Sequence, residues 1–280
     1  GYTVLKLVKS DLGYFFPKLH DYCFGLSGPT SFFDYLIQGH LADCKFKPGT
    51  VRPLSSIPIY FVYPRGYRSL GSVYLRVEQM AASLSFAFPS LKVFLITHQK
   101  IEHCSVKDSI LIFSKASLEK LPYEKLAMQK NAGSHIVFDC IDGVFPEDFL
   151  ALADSFFCSS MSEFEYRSQR YQRVFFVPHA PDLRLKKSSV QFDAKDNACA
   201  YVGNLKEGHC VGILQKIHSV EVAAKTKRSS LRLPWFKRAS SFRLHYIVRP
   251  KNNKFLQFKP PTKILVAALA GAVVVGSRED

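Results

Sequence analysis

Short apolar runs alternate with amphipathic segments along most of the chain after Ile57. Runs rich in Val, Ile, Phe and Tyr predict ten strands, at 58–63, 91–97, 109–113, 135–139, 155–159, 173–177, 199–203, 220–223, 242–248 and 273–275. Apolar residues at helical spacing predict helices at 72–88, 117–131, 146–153, 162–171, 211–217 and 263–270. Strands that alternate with helices in this way indicate an α/β protein with parallel sheets. Ligands of such proteins bind at the carboxyl ends of the strands.

The order of these segments divides the chain into two α/β units. Residues 57–182 hold the first six strands and predict an N-terminal Rossmann-like domain. The polar stretch 183–197, with a Lys-Lys-Ser-Ser run, predicts a linker, and 198–280 predicts a second Rossmann-like domain that is short or truncated. Residues 1–56 are rich in Phe and Tyr, and we expect them to be a lead-in that packs on the first domain.

The charge is strongly basic and unevenly spread. The net charge is +15, and residues 205–263 hold fourteen Lys and Arg against two Glu. This excess indicates an anionic partner, which leaves a phosphate-bearing substrate, an acidic membrane surface or nucleic acid. The seven Cys are scattered without a Cys-x-x-Cys motif, which predicts a reducing, cytoplasmic setting. The longest apolar run, 264–276, is too short for a membrane span, which needs about 20 residues.

The last forty residues carry the clearest candidate site. A strand ends at Arg249-Pro250, a polar loop leads to Lys259-Pro-Pro-Thr-Lys263, and Thr262 is the expected N-cap of a short apolar helix. Gly271 is expected to end that helix before the last strand. A helix N-terminus beside several cations suits a diphosphate. The alternative is that 264–276 is only core and that the lysines are solvated.

This stretch resembles the donor-binding motif of GT-B glycosyltransferases, two-Rossmann-domain enzymes that use nucleotide sugars. The resemblance rests on the order Arg249-Pro, Lys259-Pro-Pro-Thr-Lys263, a small apolar helix, Gly271 and a Val-rich strand. It implies that Arg249, Lys263 and Lys259 hold the donor phosphates. The sequence departs from many retaining members, because the second of their two Glu positions is Val266 and Lys259 lies close to the first.

Three further positions are donor-site candidates through the same resemblance. Gly71-Ser72, in the Gly-Ser-x-x-x-Arg run that opens a helix after the first strand, is similar to the loop that faces the donor. Val202-Gly203-Asn204-Leu205 looks like the turn near the phosphates, and Glu279 falls where the ribose or sugar is often held. The alternatives are ordinary strand-to-helix turns for the glycine segments and an exposed terminal acid for Glu279.

Candidate catalytic groups follow strand ends in the first domain. Asp139 and Asp142 can deprotonate an acceptor hydroxyl or bind its sugar, or they can simply close a turn. His98 is a second candidate base, and His179 faces the active site or caps the linker. His98, His103 and Cys104 have loose spacing and no second cluster, so we expect no metal site.

The leading prediction is a metal-independent hexosyltransferase-type enzyme of glycan biosynthesis. It would transfer a sugar from a nucleotide-diphosphate sugar, its only co-substrate, to a hydroxyl of a glycan or lipid-linked acceptor, and it would need no cofactor. An acidic membrane surface is a candidate peripheral contact. One alternative is a non-catalytic module that binds nucleotide sugars or glycans. Another is a basic nucleic-acid-binding protein, the least favoured because no known binding motif supports it.

Overall fold

The computed structural model describes residues 56–65, 71–139, 145–180, 196–203, 220–224, 241–247, 258 and 262–276. Its strands are β1 Ile59–Tyr63, β2 Val93–Thr97, β3 Ile110–Ser114, β4 His135–Asp139, β5 Ser155–Cys158, β6 Val174–Phe176, β7 Asp196–Gly203, β8 Val220–Ala224, β9 Phe242–Ile247 and β10 Val273–Gly276. All ten predicted strands are confirmed. The predicted lead-in, the linker except for its last residues, and the helix at 211–217 lie outside the described residues.

The strands form two sheets, and every pairing in both sheets is parallel. The first has six strands in the order β2-β1-β3-β4-β5-β6, and the second has four in the order β10-β9-β7-β8. In each sheet the strand order reverses beside the first strand in sequence. This is the doubly wound arrangement, in which the carboxyl edge, the side where the strands end, is the usual ligand side.

The helices lie between the strands, as the apolar spacing predicts. They are α1, made of Gly71–Val73, a π-helical turn Tyr74–Glu78 and Gln79–Ala87, then α2 His98–His103, α3 Lys115–Leu118, α4 Tyr123–Asn131, α5 Glu147–Leu150, α6 Met161–Ser168 and α7 Thr262–Leu269. None of the helices in the described ranges has the length and apolar character needed to cross a bilayer.

The structure differs from the predicted helices at two places. The single helix at 117–131 is two helices, α3 and α4, because Pro122 lies between them and cannot continue a helix. Helix α2 is not predicted, because its six residues contain only one buried apolar side chain, Ile101.

The core of the first domain covers both faces of its sheet. Successive residues of each central strand point to opposite faces, so Phe61 and Val62 join different apolar clusters. Helix α1 covers one face through Val73, Val77 and Ala81. The other face is covered by the remaining helices of the domain, with Ile101, Leu118 and Leu126 fully or almost fully buried. Because both faces are covered, the carboxyl edge remains the place where polar side chains can gather.

Candidate functional site

The second sheet positions Lys263 at its carboxyl edge. Helix α7 follows β9, and Lys263 lies in the first turn of this helix. Its Nζ donates to Tyr201 Oη at 3.2 Å and lies 4.5 Å from the centroid of the Tyr201 ring. Tyr201 is fully buried on β7, so it is a rigid partner for the ammonium group. The predicted phosphate-binding lysine is therefore held beside a helix N-terminus.

The end of α7 explains how this helix is held in position. Gly271 has a φ of +61°, Ala272 N donates to Ala267 O at 2.9 Å, and Gly271 N donates to Ala268 O at 3.0 Å. This pair of bonds is the Schellman motif, which needs a left-handed residue at Gly271. The predicted helix stop is confirmed, and β10 then pairs with β9.

The other predicted donor-binding positions are only partly covered by the structure. Gly203 is the last residue of β7, which places it at the same carboxyl edge as the start of α7. In the first domain, Gly71 and Ser72 begin α1, as predicted, and Ser72 is exposed. Asp142, Asn204, Arg249, Lys259 and Glu279 lie outside the described residues, and their roles stay predictions.

In the first sheet, Asp139 is bound by Arg76. Asp139 Oδ2 accepts from Arg76 Nε at 2.9 Å and Oδ1 accepts from Nη2 at 2.5 Å. Both residues are 1% exposed. Both carboxylate oxygens are thus engaged by one guanidinium, in the two-pronged geometry that fixes a side chain in position. This geometry suits a positioning role for Asp139, and its predicted role as a base stays a prediction.

Arg76 also fixes the segment after β6. Its Nη1 donates to Val177 O at 2.6 Å and to Pro178 O at 3.1 Å. Arg76 lies in the π-helical turn of α1, and such turns often occur at functional sites. The guanidinium thereby joins three elements at the carboxyl edge, namely α1, the end of β4 and the segment that follows β6.

Glu163 is the functional candidate that the sequence reasoning missed. It is 1% exposed in the first turn of α6, where Oε1 accepts from Arg167 Nε at 3.0 Å and Oε2 has no hydrogen-bond partner. Burial raises the pKa of Glu163 to about 7, and the charge of Asp139 adds to this, whereas Arg167 opposes it. The Ser160-x-x-Glu163 pattern, typical of a helix start, and the Glu163-x-x-x-Arg167 pair were the available signals.

The two candidate histidines lie far apart. His98 begins α2 after β2, an outer strand, and β2 is three strand spacings, about 14 Å, from β4. His98 is therefore not beside Asp139, although it is buried with Nδ1 unpartnered. His179 follows β6, is 4% exposed, and neither ring nitrogen has a partner. Burial lowers the pKa of His179 well below its usual value, and the charge of Arg76 adds to this effect.

Phe258, from the second half of the chain, contacts two residues at and near the start of α6. Ser160 Oγ donates to Phe258 O at 2.9 Å, and the Phe258 ring lies 5.2 Å from that of Tyr166. Phe258 immediately precedes Lys259 in the chain. The residue that precedes the predicted phosphate-binding segment therefore contacts the N-terminal end of α6.

Metal binding finds no support in the part of the chain that the structure describes. No group of three His, Cys, Asp or Glu within those residues could hold a metal ion.

Cys158, the last residue of β5, lies near Glu163 and Asp139. Burial strongly raises the pKa of its thiol, which argues against a thiolate nucleophile.

Comparison with known proteins supports the fold. No protein-family model matches the sequence, and no curated protein matches it. The structure is similar to that of an alpha-glucosyltransferase in complex with UDP and a 13-mer DNA containing an HMU base. The TM-score is 0.53 at 14% identity, and the match covers 79% of this chain and 79% of that chain. The chain has a GT-B-like glycosyltransferase fold, built on a six-stranded and a smaller parallel sheet.

Proposed function

We propose that this protein is a glycosyltransferase that moves a sugar from a nucleoside diphosphate sugar to a hydroxyl group. The observation that carries the proposal is the position of Lys263, which Tyr201 holds in the first turn of α7 at the carboxyl edge of the second sheet. The GT-B-like fold and the predicted motif around this lysine agree with a donor site there.

Chemically, the site would act on the leaving group. When the bond between the sugar and the diphosphate breaks, negative charge develops on the diphosphate oxygens. The Lys263 ammonium and the backbone N–H groups at the start of α7 would stabilise this charge, and the predicted Arg249 and Lys259 would add to it. Because these cations do the work of a divalent ion, we propose that transfer needs no metal, and activity should persist in EDTA.

The first domain would supply the acceptor side. Asp139 is engaged by Arg76, which leaves His98, His179, Glu163 and the predicted Asp142 as groups that can take the acceptor proton. Glu163 and His179 lie near the Arg76–Asp139 pair, whereas His98 follows β2, which is three strands away from β4. We therefore favour the first two over His98.

A thermal-shift screen against UDP, GDP, ADP and CMP sugars tests the donor site. One nucleotide class should raise the melting temperature of the wild type, and Lys263→Ala should lose most of that shift. Lys130→Ala, a lysine of the first domain, is the matched control and should keep it. A shift that is equal in the wild type and Lys263→Ala would count against the site.

Turnover separates an enzyme from a binding module. A glycosyltransferase releases free nucleotide from the donor that stabilises it, and release increases with acceptor concentration. Binding without any release of nucleotide would favour a non-catalytic nucleotide-sugar or glycan-binding module.

A nucleic acid acceptor is a second candidate, favoured by the fourteen Lys and Arg between residues 205 and 263. Our predicted acceptors are glycans or lipid-linked sugars, which do not need such a charge. Transfer of labelled sugar to DNA, lost steeply as salt rises, would support the nucleic acid. Transfer to neutral glycans at all salt concentrations would support the glycan.

A further inference from the structure

Buried polar atoms without partners gather at one place in the first domain. The described residues contain six such side-chain atoms, and four of them belong to Ser159, Glu163 and His179. All three residues are more than nine-tenths buried. Native proteins satisfy nearly all buried polar groups, so a concentration of exceptions indicates a missing partner.

These residues follow neighbouring strands at the carboxyl edge. Cys158 and Phe176 are partners in the β5–β6 ladder, and Val177 N donates to Cys158 O at 2.8 Å. Ser159 comes directly after β5, and His179 comes three residues after β6. Adjacent strands are about 4.8 Å apart, so both side chains originate within one short stretch of this edge. Glu163 is the third residue of α6, which begins two residues after Ser159.

The electrostatics of this cluster select the class of ligand. Arg76 pairs with Asp139, Arg167 pairs with Glu163, and His179 is neutral. The unpartnered atoms of this cluster include no arginine nitrogen for a phosphate to contact, and only one of them is a carboxyl oxygen, which is too few to hold a metal cation. What remains unmatched is a hydroxyl, a carboxyl oxygen and a neutral imidazole, which together offer both donors and acceptors. Vicinal hydroxyl groups, which donate and accept in turn, complement this set.

The cluster also borders the proposed donor site. Ser160 Oγ, between Ser159 and Glu163 in the chain, donates to the carbonyl of Phe258, the residue before Lys259. A sugar bound here would lie close to the segment that is predicted to hold the diphosphate.

We propose that Ser159, Glu163 and His179 form a subsite for the hydroxyl groups of an uncharged sugar residue. The inference rests on the proposed function, because the sugar is either that of the donor or that of the acceptor. Arg76 and Asp139 act as positioning residues that fix the segment bearing His179.

Substitutions of the unpartnered polar groups can distinguish a binding role from a structural role. Replacing a buried unpartnered group by an apolar one is neutral or stabilising to the fold. His179→Phe and Ser159→Ala should therefore keep or raise the melting temperature, and each should weaken sugar binding by about tenfold, the loss expected for one good hydrogen bond. A purely structural role would instead lower the melting temperature and leave affinity unchanged.

The matched control lies at the opposite edge of the same sheet. His135, on β4, bonds Ser155 Oγ at 2.9 Å. His135→Phe loses a real hydrogen bond, so it should lower the melting temperature and leave sugar binding unchanged. If His179→Phe does not fold, Ser159→Ala carries the test.

Five probe compounds identify the sugar and separate this inference from the proposed function. The binding of UDP, UDP-glucose and methyl glucoside, galactoside and mannoside is measured by calorimetry and by ligand-observed NMR. If the subsite holds the donor sugar, the variants should bind UDP-glucose more weakly than the wild type but bind UDP with unchanged affinity. If it holds the acceptor sugar, the variants should bind a methyl glycoside more weakly.

The outcomes are distinguishable. If the wild type binds a methyl glycoside but no nucleotide, and His179→Phe weakens that binding, the subsite stands and the proposed function is refuted. If both variants turn over UDP-glucose with the KM values of the wild type for donor and acceptor, the proposed function stands and the subsite is refuted. Failure of every sugar probe to bind the wild type also overturns the subsite and assigns the orphaned groups to ordered water.

Discussion

Removing Arg76 tests the organisation of the first domain most severely. Arg76→Met keeps much of the side-chain length and removes the guanidinium, which leaves Asp139 charged and buried and the carbonyls of Val177 and Pro178 without their donor. Breaking a buried ion pair on one side costs about 3–5 kcal/mol of unfolding free energy. We expect a loss in this range, measured by urea unfolding followed by far-UV circular dichroism.

Two companion variants define the origin of that loss. Arg76→Met/Asp139→Asn removes the uncompensated charge and should be more stable than Arg76→Met alone, although the two carbonyls still lack a donor. Lys130→Met breaks the more exposed Lys130–Asp154 pair and should cost at most about 1 kcal/mol. A loss for Arg76→Met no larger than that of Lys130→Met would refute the reasoning.

Three smaller predictions concern stability. Burial raises the pKa of Glu163 from an ordinary 4.5 to about 7, so the folded chain retains a proton there that the unfolded chain releases. The contribution of Glu163 to stability is present below pH 4.5 and is lost as the pH rises through about 7. Between about pH 5 and about pH 8, the free energy of unfolding in urea should therefore fall less for Glu163→Gln than for the wild type. An equal fall for the two proteins would contradict this. Ser160→Ala removes the cap of α6, whose Oγ accepts from Glu163 N at 3.2 Å, and should cost about 1 kcal/mol in the same assay; no loss would mean that the cap is dispensable. Gly271→Ala forces a Cβ into left-handed backbone and should cost about 1–2 kcal/mol, whereas Ala268→Gly, inside the same helix, should cost about 1 kcal/mol through helix propensity, so a tolerated Gly271→Ala argues against the Schellman end.

The strands were predictable because their signals are local. The run at 135–139 is apolar between polar flanks and forms β4 with the same bounds. The prediction for β7 starts at residue 199 instead of Asp196, because Asp196 joins the sheet across an irregularity in its pairing with β9. That pairing is a contact between distant segments, which apolar spacing does not reveal.

The site was predictable only in outline, for a similar reason. The pattern around Lys263 locates a cation at a helix start, but the Tyr201 hydroxyl that holds it is 62 residues away. Asp139 ends a strand at the carboxyl edge, as predicted, but no local pattern reveals that Arg76, 63 residues earlier, binds both of its oxygens. Glu163 went unnoticed because a carboxylate in a first helical turn is usually exposed, and only its burial sets it apart.

Calorimetric titration of the stabilising nucleotide sugar into the wild type and Lys263→Met tests the central claim most directly. Met has an unbranched apolar side chain of similar length and lacks the charge that lies 4.5 Å from the centroid of the Tyr201 ring. Loss of a hydrogen bond to a charged group corresponds to about 1.5–3 kcal/mol, so the affinity of Lys263→Met should fall by about ten- to a hundredfold. Equal affinities for the two proteins would contradict a diphosphate site at the start of α7.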